Sequence, residues 1–191
     1  EHHNRGMVPR WIVGAAFEIG ALAVVRESDC DRLSDFDPGN VIPLLDTTTS
    51  FDSPMVQSAS IVSVLDGPDV LGAVSSLKQE RPDRIVCVRV PVTRQIVERT
   101  RRLSGEGVEV INIAFDWGGR ELESSKPRHM RDIIPEVHLA LTKDGVRDEL
   151  TLLSSGGVVM AEHVAKAIIC GVDLVAIDLP LAVALECRLC G

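Results

Sequence analysis

Two short strings in this chain have residue types and spacing suited to chemistry. Ser154-Ser155-Gly156-Gly157 stands between a short expected strand and a helical stretch that opens near Met160. Glycines let the backbone come close to an anion and turn successive amides toward it. The helix start adds a partial positive charge. Ser155, Gly156 and Gly157 therefore read as a phosphate cradle, with a plain tight turn as the other reading. Cys187 and Cys190 form the second string. Two intervening residues let both thiolates meet one metal ion or cluster. Two ligands are half a site, so the expectation is an iron–sulfur cluster completed by residues beyond Gly191. A redox-active or zinc-binding pair also fits that spacing. Both ends of the chain, Glu1 and Gly191, read as cuts through a longer protein.

The elements that must hold these strings alternate between strand and helix. The sequence predicts a helix over 11–19 closed by Gly20, then a strand over 21–25. Residues 29–56 are rich in Asp, Ser, Thr and Pro and read as a long surface loop with a short buried piece at 41–45. Strands follow at 60–64, 85–90, 108–115, 151–154 and 173–177. Helices follow at 70–79, from Pro91 to Leu103, at 130–141 and at 161–170. Val70, Leu71, Val74 and Leu77 share one helical face. Residues 116–128 read as a polar loop containing glycine. A last helix near Pro180 is expected to carry the two cysteines. About six strands joined by right-handed crossovers make a parallel α/β sheet. The phosphate turn follows the penultimate strand, where barrels place it, whereas dinucleotide folds place theirs after the first strand. The expected fold is a parallel (β/α)8 TIM-barrel type, incomplete on its N-terminal side, with residues 1–191 as one partial domain.

Composition narrows the classes. The 191 residues are 45% hydrophobic and 25% charged, with 3% aromatics and no Tyr. A core of Val, Ile, Leu and Ala suits strands buried on both faces. A net charge of −8 argues against a nucleic-acid surface. The basic run from Arg94 to Arg102 has no interleaved aromatic, so base stacking lacks a platform. No apolar stretch reaches the ~20 residues of a membrane span. Five cysteines, an odd number, argue against a disulfide framework and for a reduced, cytoplasmic setting. Cys30, Cys87 and Cys170 read as buried, inert thiols.

Longer strings carry a family resemblance. Residues 153–157 (Leu-Ser-Ser-Gly-Gly), 164–168 (Val-Ala-Lys-Ala-Ile) and 171–175 (Gly-Val-Asp-Leu-Val) resemble the end of the flavin domain of glutamate synthase. Residues 181–190 are similar to that family's entry into its iron–sulfur segment. Residues 77–79 and 85–90 are similar to its helix and strand before the flavin. The likeness covers 60–191, while 1–59 match only weakly.

The resemblance implies an FMN-binding barrel that exchanges electrons with an iron–sulfur centre and acts on a small carboxylate or imine, with an electron-transfer subunit as partner. It places the FMN phosphate on Gly156 and Gly157. It places Arg89 at the strand end that faces the flavin and substrate, where the family has Lys. Arg there offers a bidentate fork for a carboxylate and no proton at neutral pH. It gives Asp116 to the ribityl hydroxyls, room for the flavin edge to Gly118 and Gly119, and a stacking or covering role to Trp117. Two departures stand out. Residues 158–163 replace the family's usual string after the glycines, with His163 on the following helix. Asp178 ends the last strand where a carboxylate would repel a phosphate. Two other readings fit the residues: a non-redox barrel enzyme acting on a phosphorylated metabolite, and a non-catalytic, degenerate barrel subunit. A Schiff-base Lys at a strand end would mark the former, and Lys78, Lys126, Lys143 and Lys166 all fall on expected helices or loops.

Overall fold

A computed structural model describes residues 7–47 and 51–186. The chain divides into two compact units, Glu1–Val88 and Arg89–Gly191. Seven strands follow one another in sheet order as they do in sequence, β1 to β7. That is the order of a parallel (β/α) barrel; a doubly wound sheet reverses its order at a switch point.

The first unit opens with α1 (Val8–Glu18), which has Pro9 in its first turn, where the missing N–H is no loss. Gly20, at φ +69°, ends it. β1 (Ala23–Arg26) pairs in parallel with β2 (Val41–Leu45), Ala23 opposite Val41 and Arg26 opposite Leu44. Between them lie α2 (Glu27–Cys30) and two single helical turns. α3 (Pro54–Ser58) leads to β3 (Ile61–Leu65), which continues the parallel sheet from β2. α4 (Val70–Glu80) then leads into β4 (Ile85–Pro91). Val13, Ala16, Val25, Cys30, Leu33 and Met55 belong to one buried cluster of this unit. Burial, with Glu27, Asp31 and Asp29 close by, pushes the Cys30 thiol up to about 11. Arg84 is buried and caps the end of α3, donating to Val56 O at 3.0 Å and Gln57 O at 2.9 Å.

The expected long loop is corrected here. Residues 41–45 are a full strand between β1 and β3, so the described residues hold seven strands instead of about six. Pro43 inside a five-residue run argues against a strand locally, because it donates no ladder hydrogen bond. Burial of Val41 and Leu45 against the unit's core outweighs that loss.

The second unit holds the rest of β4, α5 (Ile96–Gly105), β5 (Val110–Ala114), α6 (Met130–Lys143), β6 (Thr151–Ser155), α7 (Ala161–Cys170), β7 (Leu174–Ala176) and α8 (Leu179–Ala184). β5 and β6 pair in parallel from Val110–Thr151 to Ala114–Ser155. β6 and β7 pair from Leu153–Leu174 to Ser155–Ala176. Strand alternation puts Ile111, Ile113 and Leu152 on one face, all fully buried. Asn112, Ala114, Leu153, Ser155, Leu174 and Ala176 line the other.

At the amino ends of β6 and β7, Arg147 acts as a buckle. It donates to His138 Nδ1 at 3.1 Å, Leu150 O at 2.9 Å, Gly171 O at 2.8 Å and Asp173 Oδ1 at 2.8 Å. The other Asp173 oxygen accepts the Leu152 N–H at 2.7 Å. Gly171, at φ +123°, closes α7 where a Cβ would meet the His138 ring at 2.6 Å. The last helix is shorter than expected and ends at Ala184. Cys187 and Cys190 lie outside the described residues. Cys170 is only partly buried, a correction to the expectation that all three other thiols are inaccessible. Among the described residues, no helix is long and apolar enough to cross a membrane.

Candidate functional site

The candidate site forms in the second unit, where the chain leaves β5 and β6 at their carboxyl ends. That is the end at which barrel enzymes carry their sites. The ladder continues one rung past β5, with the Phe115 N–H donating to Ser155 O at 2.9 Å. The two exit loops therefore start side by side.

The loop after β5 is tied to itself. The Gly119 N–H donates to Asp116 O at 3.0 Å, closing a turn over Trp117 and Gly118. Asp116 Oδ1 accepts the N–H groups of Gly118 and Arg120, each at 2.8 Å. Asp116 thus orders its own loop, and Trp117 is left 55% exposed at the tip.

The loop after β6 packs on this turn, backbone to backbone. Gly156 and Gly157 have φ of +87° and +72°. A Cβ on Gly156 would lie 2.4 Å from Phe115 O, and one on Gly157 would lie 2.3 Å from Gly119 Cα. Gly119 in turn has φ +71° and sits against the Met130 sulfur. The fold therefore brings Asp116, Gly118, Gly119, Gly156 and Gly157 together, five of the residues singled out in the sequence. The glycines serve a purpose that local sequence does not show: their missing side chains let two loops touch.

This packing leaves amides free. Among the described residues, the N–H groups of Gly156, Gly157 and Val158 have no protein acceptor. Gly156 and Val158 are buried. A buried donor without an acceptor costs ~1–3 kcal/mol, so the turn fits an anionic group. The head of α7 follows at once, and Met160 provides no side-chain cap. Its first-turn Glu162 is held by Lys166 at 2.7 Å, which offsets its charge.

Other expected residues take local partners. The Ser155 hydroxyl donates to Asn112 Oδ1 at 3.0 Å across β5 and β6. Both groups are buried, and Ser155 is left to contribute through its backbone. His163 Nδ1 accepts the Val159 N–H at 3.3 Å, folding back on the loop before α7. Asp178 Oδ1 accepts the Leu179 N–H at 2.7 Å and caps α8. Arg89 is half-buried in β4 between buried Val88 and Val90. Among the described residues its side chain has no hydrogen-bond or ion-pair partner.

Sequence reasoning missed two features. Asn112 is a lone polar residue in an apolar strand, and only the register with β6 gives it Ser155. Glu121 and Arg128 read as ordinary loop charges, yet Glu121 is buried against Arg128 at 2.7 Å. Antiparallel pairing of Arg120 with His129 makes that possible. No local pattern announces it. Among the described residues, no three His, Cys, Asp or Glu side chains gather as a metal site.

Comparisons with known proteins agree with this architecture. A solved structure of a flavocytochrome b2 mutant with benzoylformate superposes with a TM-score of 0.60 at 16% identity, covering 86% of this chain and 50% of that one. At that identity the likeness establishes the fold, an incomplete (β/α) barrel. The archaeal glutamate synthase (NADPH) of Methanocaldococcus jannaschii is 41% identical over 58 residues, 30% of this chain. The chain matches 11% of that relative's length. The conserved region in glutamate synthase matches residues 49–191. That span covers most of the chain, including both loops of the candidate site, and the chain therefore belongs to the family of the conserved region in glutamate synthase.

Proposed function

We propose that this chain is the FMN-holding part of an oxidoreductase of glutamate synthase type. The observation that carries the reading is the set of amides at Gly156, Gly157 and Val158, just before α7, that have no acceptor among the described residues. Amides turned to one point at a helix start favour a phosphate. Similarity to a glutamate synthase, and in fold to a flavocytochrome, supports a flavin as the bearer of that phosphate.

Bound FMN would supply the redox chemistry, and the chain's residues would hold and tune it. In this reading the backbone of 156–158 binds the phosphate. Gly118 and Gly119 keep side chains away from the ligand's path. Asp116 keeps that loop in place, with its second oxygen available to a hydroxyl. Arg89 brings a permanent positive charge with no protein partner among the described residues. It suits a small carboxylate substrate or negative charge on the cofactor. Electron exchange with an iron–sulfur centre, through Cys187 and Cys190, completes the proposal. A cytoplasmic setting and an electron-transfer partner go with it.

The non-redox reading gains no Schiff-base lysine from the structure. Lys78 lies in α4, Lys143 in α6, Lys166 in α7 and Lys126 in a loop, so no strand carries a Schiff-base lysine.

Titration of the protein with FMN and with riboflavin tests the proposal. FMN should bind at least ~10-fold more tightly, because charge-assisted hydrogen bonds to the phosphate contribute ~1.5–3 kcal/mol. Equal affinity for the two flavins would remove the phosphate role of the turn. Failure to bind either would remove the flavin reading.

A further inference from the structure

The second unit contains a buried carboxylate that the proposed chemistry does not use. Glu121 is 3% exposed. Its Oε1 accepts from Arg128 Nε at 2.8 Å and Nη2 at 2.7 Å. Its Oε2 accepts the Arg128 backbone N–H at 3.1 Å. The Glu121 N–H donates to Arg128 O at 3.0 Å. Residues 121 and 128 are thus joined through both side chains and backbones.

This joint closes the loop that carries Gly118 and Gly119. Arg120 and His129 bridge beside it. The Met130 N–H donates to Gly119 O at 2.8 Å, and the Leu122 N–H donates to Val92 O at 2.8 Å. Arg128 also reaches Glu136 on α6 at 2.5 Å. Burial by itself would raise the Glu121 carboxyl, but hydrogen bonds and charge from Arg128, with Arg94 nearby, outweigh it and hold Glu121 below its usual range. The pair therefore stays ionised at neutral pH.

Thirteen residues separate Asp116 from Met130, and such a loop has many conformations to lose on ordering. Gly119 must nevertheless hold one position, because the Gly157 backbone packs directly on it.

We propose that Glu121 and Arg128 are positioning residues of the cofactor site, a clasp that fixes Gly118–Gly119 as the wall on which the Gly156–Gly157 turn sets its amides. The proposal rests on the FMN reading of that turn. It also makes the two partners unequal. The Glu121 side chain is 0% exposed, whereas Arg128 is 38% exposed. Removing the arginine strands a buried charge. Removing the carboxylate leaves an arginine that can turn to water and Glu136.

The test uses the whole chain with Arg128→Gln, Glu121→Gln, the double variant and the milder Arg128→Lys. Amide hydrogen exchange is read without ligand, and FMN affinity is read well below each melting temperature. In Arg128→Gln, exchange at Gly119, Leu122 and Met130 should quicken ~10-fold or more, while Thr151 and Leu152 on β6 keep their rates. FMN dissociation constants should rise ~10-fold or more in Arg128→Gln and less in Glu121→Gln, with recovery in the double variant. If Arg128→Gln does not fold, Arg128→Lys and Glu121→Gln give the same two readings. Faster loop exchange with unchanged FMN affinity would overturn the positioning role and leave the FMN reading standing. Unchanged exchange would overturn the clasp itself. Wild-type protein that binds no FMN would overturn the functional reading and this proposal together.

Discussion

Gly157→Ala tests the contact on which the site is built. Two costs add at this position. The backbone has φ +72°, and an L-residue held in that region costs ~1–2 kcal/mol. The new Cβ would also lie 2.3 Å from Gly119 Cα and 2.5 Å from Gly119 N. Carbon atoms rest at ~3.5–4.0 Å, so the two loops would have to part by more than an ångström. The obstacle is backbone that the Glu121–Arg128 pair holds, so no side chain can swing away. Overpacking of this kind costs ~1–3 kcal/mol, for a total of ~2–5 kcal/mol. Gly145 is the control in the same unit. It has φ +76°, and nothing lies within 4 Å of its would-be Cβ. Gly145→Ala should therefore show the backbone cost alone. The assay is urea denaturation of the wild type and both variants, with FMN titration of each. Gly157→Ala should be the less stable by ~1–3 kcal/mol and should bind FMN more weakly. Equal stabilities would refute the claim that the two loops touch through Gly119 and Gly157. A stability loss with unchanged FMN affinity would separate the contact from the ligand site.

Other expected outcomes follow from single groups. Asp173 sits below the usual carboxylate range: burial pushes it up, but the hydrogen bonds from Arg147 and the Leu152 amide outweigh that. Its contribution is present above the unfolded value of ~3.9 and is lost as pH falls through the lower folded value, so Asp173→Asn should flatten acid unfolding below about pH 4. Arg89→Gln should leave stability nearly unchanged, within ~0.5 kcal/mol, since no group among the described residues pairs with its side chain, and should weaken a small carboxylate ligand. An equal ligand affinity in that variant would take Arg89 out of the site. Cys30, with its thiol pushed up to about 11, should resist iodoacetamide at pH 8 in the folded protein while Cys170 reacts first; mass mapping of labelled peptides reads the order.

Much of the fold is legible along the chain. The expected strands at 85–90, 108–115 and 151–154 overlap β4, β5 and β6, because each is a short, mostly apolar run followed by a Pro, Asp or Gly turn signal. The helix between Met130 and Leu141 shows itself by apolar spacing, and the one after Met160 by its place behind the glycine turn. The Ser155-Gly156-Gly157 string marks a tight, positive-φ turn whatever surrounds it. Those features are local, set by side-chain shape and backbone sterics within a few residues.

Other features exist only between distant residues. Residues 41–45 become a strand because β1 and β3 cover them, and Pro43 hides that from any local reading. Asp178, which resembles a charge aimed at a phosphate, instead accepts the next amide and caps α8. Gly119 and Gly157 need glycine because their backbones meet across 37 intervening residues. Glu121 and Arg128 are plain loop charges until the bridge of Arg120 and His129 buries one against the other. In each case the deciding term is desolvation or steric contact from a segment remote in sequence, and only the packed chain supplies that neighbour.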